Sequence, residues 1–444
     1  MYFGKILLRM AVAALLLAPL MAQAVPSYSR QTQLDCATCH TVFPQLTPYG
    51  RQFKLSGYTA VSGPFSAQSQ PNLRLSEDVM APLSAMLLVD YTSMKGSDSG
   101  VNGAKNKATV EFPQEFSIFY AGRISDAMGA YAQVTLDSAN SIAMDNVDVR
   151  YARNTALDNG SLVYGVSLNN SPLVEDIYNT TPVWGFPFTS SEYANNPDFG
   201  TLLGSGAFAQ TTAGAVAYAM LNNHWYVAAG SYHDTQAGGE TTEGLNGWAP
   251  YARVAYQSEM GHHNFHLGGY LMAGKVTQDV NAPLASTSTR FRDSGVDGQY
   301  QYLSGVNTLT LRANYINEKL DEALNMGASK DNLNIRNVSV NTEYFYDRTY
   351  GFAVGRFCVQ GRPDPVLYAA DPANGVSGSI SGSPDTEGWL AELTYLPWLN
   401  TKFSLQYVAY SEFDGGSSYI SANTGAPREA NQNNTLYLSA WFVF

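Results

Sequence analysis

The chain has 444 residues, of which 45% are hydrophobic, 12% aromatic and 14% charged, with a net charge of −12. Soluble domains usually carry about 25% charged residues, whereas here 39 glycines and 29 tyrosines dominate the polar positions. The apolar content excludes a disordered chain, the acidic balance argues against nucleic acid, and no internal apolar run is long enough to span a bilayer as a helix. These features together point to a transmembrane β-barrel.

Residues 1–24 read as a cleaved secretory signal. Lys5 and Arg9 precede an apolar stretch from Met10 to Met21, and Ala22-Gln23-Ala24 forms the small-residue cleavage site. Two of the three cysteines follow in Cys36-Ala37-Thr38-Cys39-His40, the C-x-x-C-H signature of covalent c-type haem attachment. Thiols three positions apart reach the two vinyl groups of one haem, and His40 supplies the proximal iron ligand. A structural disulfide, a thioredoxin-like pair and half a zinc site are the alternatives. Zinc needs further close ligands, and the next histidine is His224. Residues 25–80 are few for a self-sufficient haem fold, so the segment is expected to lean on the barrel as a plug. Within it, Arg51 and Lys54 are candidates to pair with the haem propionates.

Residues 81–444 carry the barrel. Asn337, Ser339, Asn341 and Glu343 alternate with Val338, Val340, Tyr344 and Tyr346, and Lys402, Ser404 and Gln406 alternate with Phe403, Leu405 and Tyr407. This period of two marks strands with one apolar and one polar face, the polar face lining the lumen. Sixteen such runs are expected, near 82–94, 112–124, 127–138, 143–154, 159–169, 211–221, 223–233, 249–259, 262–274, 297–306, 308–319, 335–347, 349–360, 386–396, 400–412 and 433–444. Short turns alternate with long polar loops, including 170–210 and 275–296, and the chain ends on Phe444 in an alternating last strand. An all-β transmembrane antiparallel barrel with both termini in the periplasm follows.

The segments around the haem motif carry a resemblance. Arg30-Gln31-Thr32 precedes it, the run from Pro44 to Tyr58 (PQLTPYGRQFKLSGY) follows it, and Asn179-Thr180-Thr181-Pro182-Val183-Trp184-Gly185-Phe186-Pro187-Phe188 comes much later. The mature chain resembles the fused monohaem cytochrome–porins of the bacterial outer membrane, whose best-known members are iron-oxidising cytochromes. The resemblance implies passage of electrons across the outer membrane through one haem c. The donor would be extracellular Fe2+, making the chain a possible Fe(II) oxidase, and the acceptor a periplasmic c-type cytochrome or other soluble carrier. A conduit exporting electrons to an extracellular acceptor, and a diffusion porin with a haem-bearing gating or docking domain, are the alternatives.

For the distal iron ligand, Met86 is the first candidate, since it shares the lumen side of the first strand with Ser84, Asp90 and Thr92. Met80, just before that strand, is the second. His262, His263 and His266 are spread along one strand at about 3.3 Å per residue, too far apart to converge on one ion. The loop after the fifth strand holds Glu175, Asp176, Glu192 and Asp198 and no Lys or Arg. Such carboxylates suit a divalent cation, and a solvated outer loop has the same composition. Cys358, in a strand-like run, reads as an inert packed thiol.

Overall fold

The computed structural model describes residues 26–61, 82–100, 103–182, 186–235, 244–277, 288–398 and 400–444. The signal segment, Met80 and the Trp184-Gly185 pair lie outside them. Among the described residues sixteen strands close a single antiparallel barrel. They are β1 (Leu83–Met94), β2 (Ala108–Ser125), β3 (Met128–Asp137), β4 (Ile142–Leu157), β5 (Gly160–Asn169), β6 (Thr212–Leu221), β7 (Trp225–Asp234) and β8 (Ala249–Met260). The remainder are β9 (His263–Thr277), β10 (Thr289–Leu303), β11 (Asn307–Asp321), β12 (Leu333–Tyr346), β13 (Tyr350–Gly361), β14 (Thr386–Trp398), β15 (Thr401–Glu412) and β16 (Thr435–Val443). Each pairs with its chain neighbours, and β16 closes on β1 in a register running from Thr435–Met94 to Val443–Met86. The terminal Phe444 extends this seam, exchanging both backbone hydrogen bonds with Ala85.

Turns of two or three residues join β2–β3, β4–β5, β6–β7, β8–β9, β10–β11, β12–β13 and β14–β15 at one end, where β1 begins and β16 finishes. Longer connections gather at the other end. The outer face is apolar: Phe112 is 78% exposed and Leu267 66%, with Val340, Leu393, Leu405 and Leu438 also uncovered. Surface of this kind calls for lipid. Around the short-turn end runs a belt of aromatic rings, Tyr350–Tyr395–Phe403–Phe442, each within 6.5 Å of the next.

One strand starts earlier than its sequence pattern indicates. β10 begins at Thr289, inside what reads as the 275–296 loop, because Asp293 and Asp297 face inward and are buried while Arg290 and Arg292 face outward. Charges on both faces conceal the alternation.

The lumen is not uniformly polar either. Inward Tyr218, Tyr226, Tyr251, Tyr270, Met272 and Ile316 on β6–β11 pack against Leu173, Ile177, Tyr178, Leu202, Leu203 and Phe208 of the β5–β6 connection. That connection folds into the barrel and fills one half of it. The sequence-based view of this loop as a solvated or ion-gathering outer segment is corrected for Glu175 and Asp176, both fully buried. Glu175 accepts from the hydroxyls of Tyr226 (2.5 Å) and Tyr251 (2.7 Å). Asp176 accepts from the backbone of Tyr178, Thr180 and Thr181 at 2.9–3.2 Å and lies 3.4 Å from the Arg253 guanidinium.

Residues 26–61 occupy the lumen at the short-turn end as three short helices, α1 (Pro26–Thr32), α2 (Cys36–Cys39) and α3 (Pro48–Leu55), with a small ribbon between the last two. Tyr28, Phe53 and Tyr58 pack on one another, with ring centroids 4.9–5.9 Å apart. The plug is anchored by side chains. Tyr28 donates to the Ala130 carbonyl at 2.8 Å, Tyr218 to the Leu55 carbonyl at 2.8 Å, and Tyr58 to Asp148 at 2.6 Å. Asp148 also receives Ser167 and Arg150 at 2.7 Å each, and both members of this ion pair are buried. Asp148→Ala strands the Arg150 charge, an imbalance that costs about 3–5 kcal/mol. The expected result is a lower unfolding midpoint in denaturant titrations of the reconstituted barrel, together with faster proteolysis of the plug.

Candidate functional site

A cavity of about 650 Å3 lies between the plug and the wall formed by β1–β4 and β16. Cys36, Cys39 and His40 line it from the plug, Met86, Phe119, Tyr131 and Trp441 line it from the wall, and Phe188 from the folded-in loop. The sequence explains why the motif is held so closely. A single helical turn puts Cys36 and Cys39 on one face, and His40 leaves it in extended backbone. Thr47 caps α3 by accepting from Gly50 N at 3.1 Å, and Pro48 starts the helix with its fixed φ. The same Thr47 ties back to the motif, its hydroxyl donating to the Thr38 carbonyl (2.5 Å) and its amide to the Cys39 carbonyl (2.9 Å). Position 50 has to be glycine, since a Cβ there would sit 2.2 Å from the Cys39 carbonyl oxygen.

Burial pushes the His40 imidazole down to about 4, with the Gln45 and Pro44 backbone acting in the other direction. It is therefore neutral, the form that ligates a metal. Burial, then the neighbouring Cys36 thiol, raises Cys39 to about 11. Four polar atoms of residues lining the cavity are buried with no hydrogen-bond partner: His40 Nδ1, Asn179 Oδ1, Thr189 Oγ1 and Trp441 Nε1. An unengaged imidazole nitrogen and an indole N–H beside two thiols fit an iron porphyrin, the first as metal ligand and the second as donor to a carboxylate edge. The His40 ring lies 4.9 Å from Phe43, which is 6.4 Å from Trp441.

Met86 is 5% exposed and packs on Phe119 and Val443 in the wall of this cavity, on the inner face of β1 as its alternation requires. The two expected propionate partners are placed differently. Arg51 does not line the cavity; it donates to Gln301 (2.9 Å) and the Leu46 carbonyl (3.4 Å) and lies over the Tyr178 ring. Lys54 does line it, yet its ammonium donates to the carbonyls of Val174 and Asp176 at 2.7 Å each. Both cations hold the plug to its surroundings.

His266 is buried in a network that sequence inspection missed, 3.1 Å from Asp297 and stacked 3.9 Å from Tyr178, with Arg253 2.7 Å from the same Asp297. His262 and His263 are exposed near the short-turn rim and meet the Leu303 carbonyl and the Tyr300 hydroxyl. Cys358 sits half-buried on β13, opposite Val338 and Glu387. Of the remaining loop carboxylates, Asp198 accepts from Ser377 N at 2.7 Å, whereas Glu192 borders the cavity. Nothing in the local sequence distinguishes these two from Glu175 and Asp176, since their partners come from distant strands.

No family model and no curated relative matches the sequence. Among solved structures, the chain is similar to OmpF of Salmonella typhi in complex with daunomycin, at 15% identity and a TM-score of 0.49, covering 82% of this chain and 97% of that one. It is also similar to the outer membrane channel DcaP of Acinetobacter baumannii (9% identity, TM-score 0.47, 82% and 96% covered). A third is OmpT of Vibrio cholerae (13%, 0.43, 82% and 96%).

Lys54 provides a pH test of the plug. Burial first, and the Arg150 charge next, lower its ammonium from 10.5 to about 8. The folded chain therefore binds fewer protons than the unfolded one between those values, and this group's contribution to stability rises with pH across that window. Thermal unfolding of wild type against Lys54→Met at pH 8 and pH 10 should show this increment in wild type only.

Proposed function

We propose that the chain is an electron-transfer protein of the bacterial outer membrane, carrying one covalent haem c in the cavity at the short-turn mouth of its barrel. The carrying observation is that Cys36, Cys39, His40 and Met86, drawn from the plug and from the barrel wall, border one cavity. Cys36 and Cys39 would form the thioethers and His40 the proximal ligand, with Met86 as distal ligand and Met80 second. Trp441 Nε1 would donate to a propionate. When bound, haem c supplies one-electron chemistry at its iron. His40 stays neutral, and the Thr47–Gly50 clamp fixes the backbone of the motif that carries it. An even strand number leaves both termini, and with them the plug, on the periplasmic side, facing a soluble cytochrome partner. The likeness of the motif segments to cytochrome–porins supports extracellular Fe2+ as donor and iron oxidation as the activity.

A gated diffusion porin is the second reading. It is favoured by the plug sharing no sheet with the barrel wall among the described residues, so that side-chain contacts rather than a backbone ladder hold it there. That reading expects ion conductance in planar bilayers, and the conduit reading expects a nearly silent barrel.

The deciding experiment is an anaerobic visible spectrum of the membrane-embedded chain. Sharp ferrous c-type bands should appear on adding Fe2+, and a chain reduced by dithionite but not by Fe2+ would remove iron as donor. Cys36→Ala/Cys39→Ala should abolish haem that survives denaturing gels. Met86→Ala should change the oxidised spectrum, and Met80→Ala should not.

A further inference from the structure

Basic side chains are the minority here, 25 Lys and Arg against 37 Asp and Glu, yet five of them gather on one stretch of the outer wall. Lys275 on β9, Arg290 and Arg292 on β10, Lys319 on β11 and Arg336 on β12 all point outward and are exposed. In the ladder Lys275 lies opposite Arg290 and Arg292 opposite Lys319, while Arg336, opposite Asn317, is diagonal to Lys319. Like charges directly opposite one another destabilise a sheet. Two carboxylates offset part of this: Asp321 stands opposite Arg290, and Glu322 lies 3.1 Å from the same guanidinium. Among the described residues no carboxylate pairs with Lys275, Arg292 or Lys319, and Arg336 donates to Gln360 at 3.1 Å.

Strand geometry gives the height of the cluster. Lys319 is twelve residues along β11 from Asn307 at the short-turn end. That is about 40 Å of strand, and a tilt of about 40° turns it into roughly 30 Å, the thickness of a hydrocarbon layer. The cations therefore stand at headgroup level on the long-loop side. Exposed Trp248 marks the same level, since Asn246 beside it donates to the Lys275 carbonyl at 2.8 Å. Beneath the cluster the outer wall is hollowed. A groove of about 620 Å3 crosses β10–β14, where Gly298, Ala313, Val340 and Val354 leave room between Leu311 and Trp389. Ala313 is six residues below Lys319, about 20 Å along the strand, which is the reach of an acyl chain. At the same end of β2 and β4 the outward residues are Val110, Phe112, Ile142 and Met144, so the cations mark one side of the barrel.

We propose that Lys275, Arg290, Arg292, Lys319 and Arg336 bind the phosphorylated headgroup of a lipid in the outer leaflet, with one of its acyl chains in the groove beneath. A phosphate set among opposed cations removes their repulsion and takes several charge-assisted hydrogen bonds, those from arginine in pairs. The groove supplies the other half of the match, because an amphiphile of this kind has its charge and its chain on one molecule. A free anion would leave the groove unused, and a second copy of the chain would have to bring an acidic outer wall to this face. The site stands on the barrel and its depth in the membrane, and is independent of the haem reading above.

The probe is spin-labelled phosphatidic acid, compared with spin-labelled phosphatidylcholine, in phosphatidylcholine vesicles holding the full-length chain. Electron paramagnetic resonance separates lipid held at the protein wall from free lipid. Wild type should retain phosphatidic acid at least threefold over phosphatidylcholine, and about 1 M NaCl should reduce that preference. Arg292→Gln/Lys319→Gln should bring it close to one, whereas Arg153→Gln, at an exposed cation near the short-turn end, should leave it unchanged. Ala313→Trp, which fills the groove and keeps all five cations, should lower it too, and millimolar inorganic phosphate should not compete. Equal retention of the two lipids by wild type, a result that needs no variant to fold, overturns the site. Competition by inorganic phosphate together with indifference to Ala313→Trp would make this a site for a free anion. Neutralised variants that dissociate an oligomer yet keep the lipid preference would make it an interface between copies, and either outcome overturns the lipid.

Discussion

Everything in this molecule depends on closing the ladder between β16 and β1. Inside a bilayer an unpaired N–H or C=O has no water to turn to, so a sheet survives there only without edges. The seam from Thr435–Met94 to Val443–Met86, continued by Phe444 on Ala85, meets that requirement with the last residues of the chain. Closure in turn creates an interior, and sixteen strands make it wide enough to need filling or to serve as a channel. What occupies the interior then decides what the protein does.

Two segments answer that need in different ways. The β5–β6 connection fills one half with a tyrosine-rich core, its buried Glu175 and Asp176 satisfied by hydroxyls, backbone amides and Arg253. The N-terminal plug takes the short-turn mouth and is fastened by Arg51, Lys54 and Tyr58 to groups on the loop and the wall. Between them the remaining space has a thiol-and-imidazole floor and an acidic side wall of Asp145 and Glu192. The division of the lumen into a packed half and a charged half is thus a consequence of which loop turned inward.

The barrel was legible because alternation is a local property: Val340, Tyr344 and Leu405 declare their faces within a few residues. The motif Cys36–His40 was legible for the same reason, and the alternation of β1 placed Met86 inward. The start of β10 was hidden because Asp293 and Arg292 put charge on opposite faces, one buried in the lumen and one at the rim. The fate of Glu175, Asp176, Arg51 and His266 was not legible at all. A buried charge is explained by partners such as Tyr226, Gln301 and Asp297, which are brought near only by the closed barrel. Composition assigned these carboxylates to solvent, and topology took them inside.

The position of the cysteine pair inside the barrel also bears on the order of events in the protein's biogenesis. Cys36 is 5% exposed and Cys39 half-buried, both on a plug helix within a closed sheet. Once the seam has formed, the wall of the barrel stands on all sides of these thiols and narrows the approach of any large catalyst. The covalent group proposed for the pair would therefore be attached before the seam forms, and the barrel would close around a segment already finished.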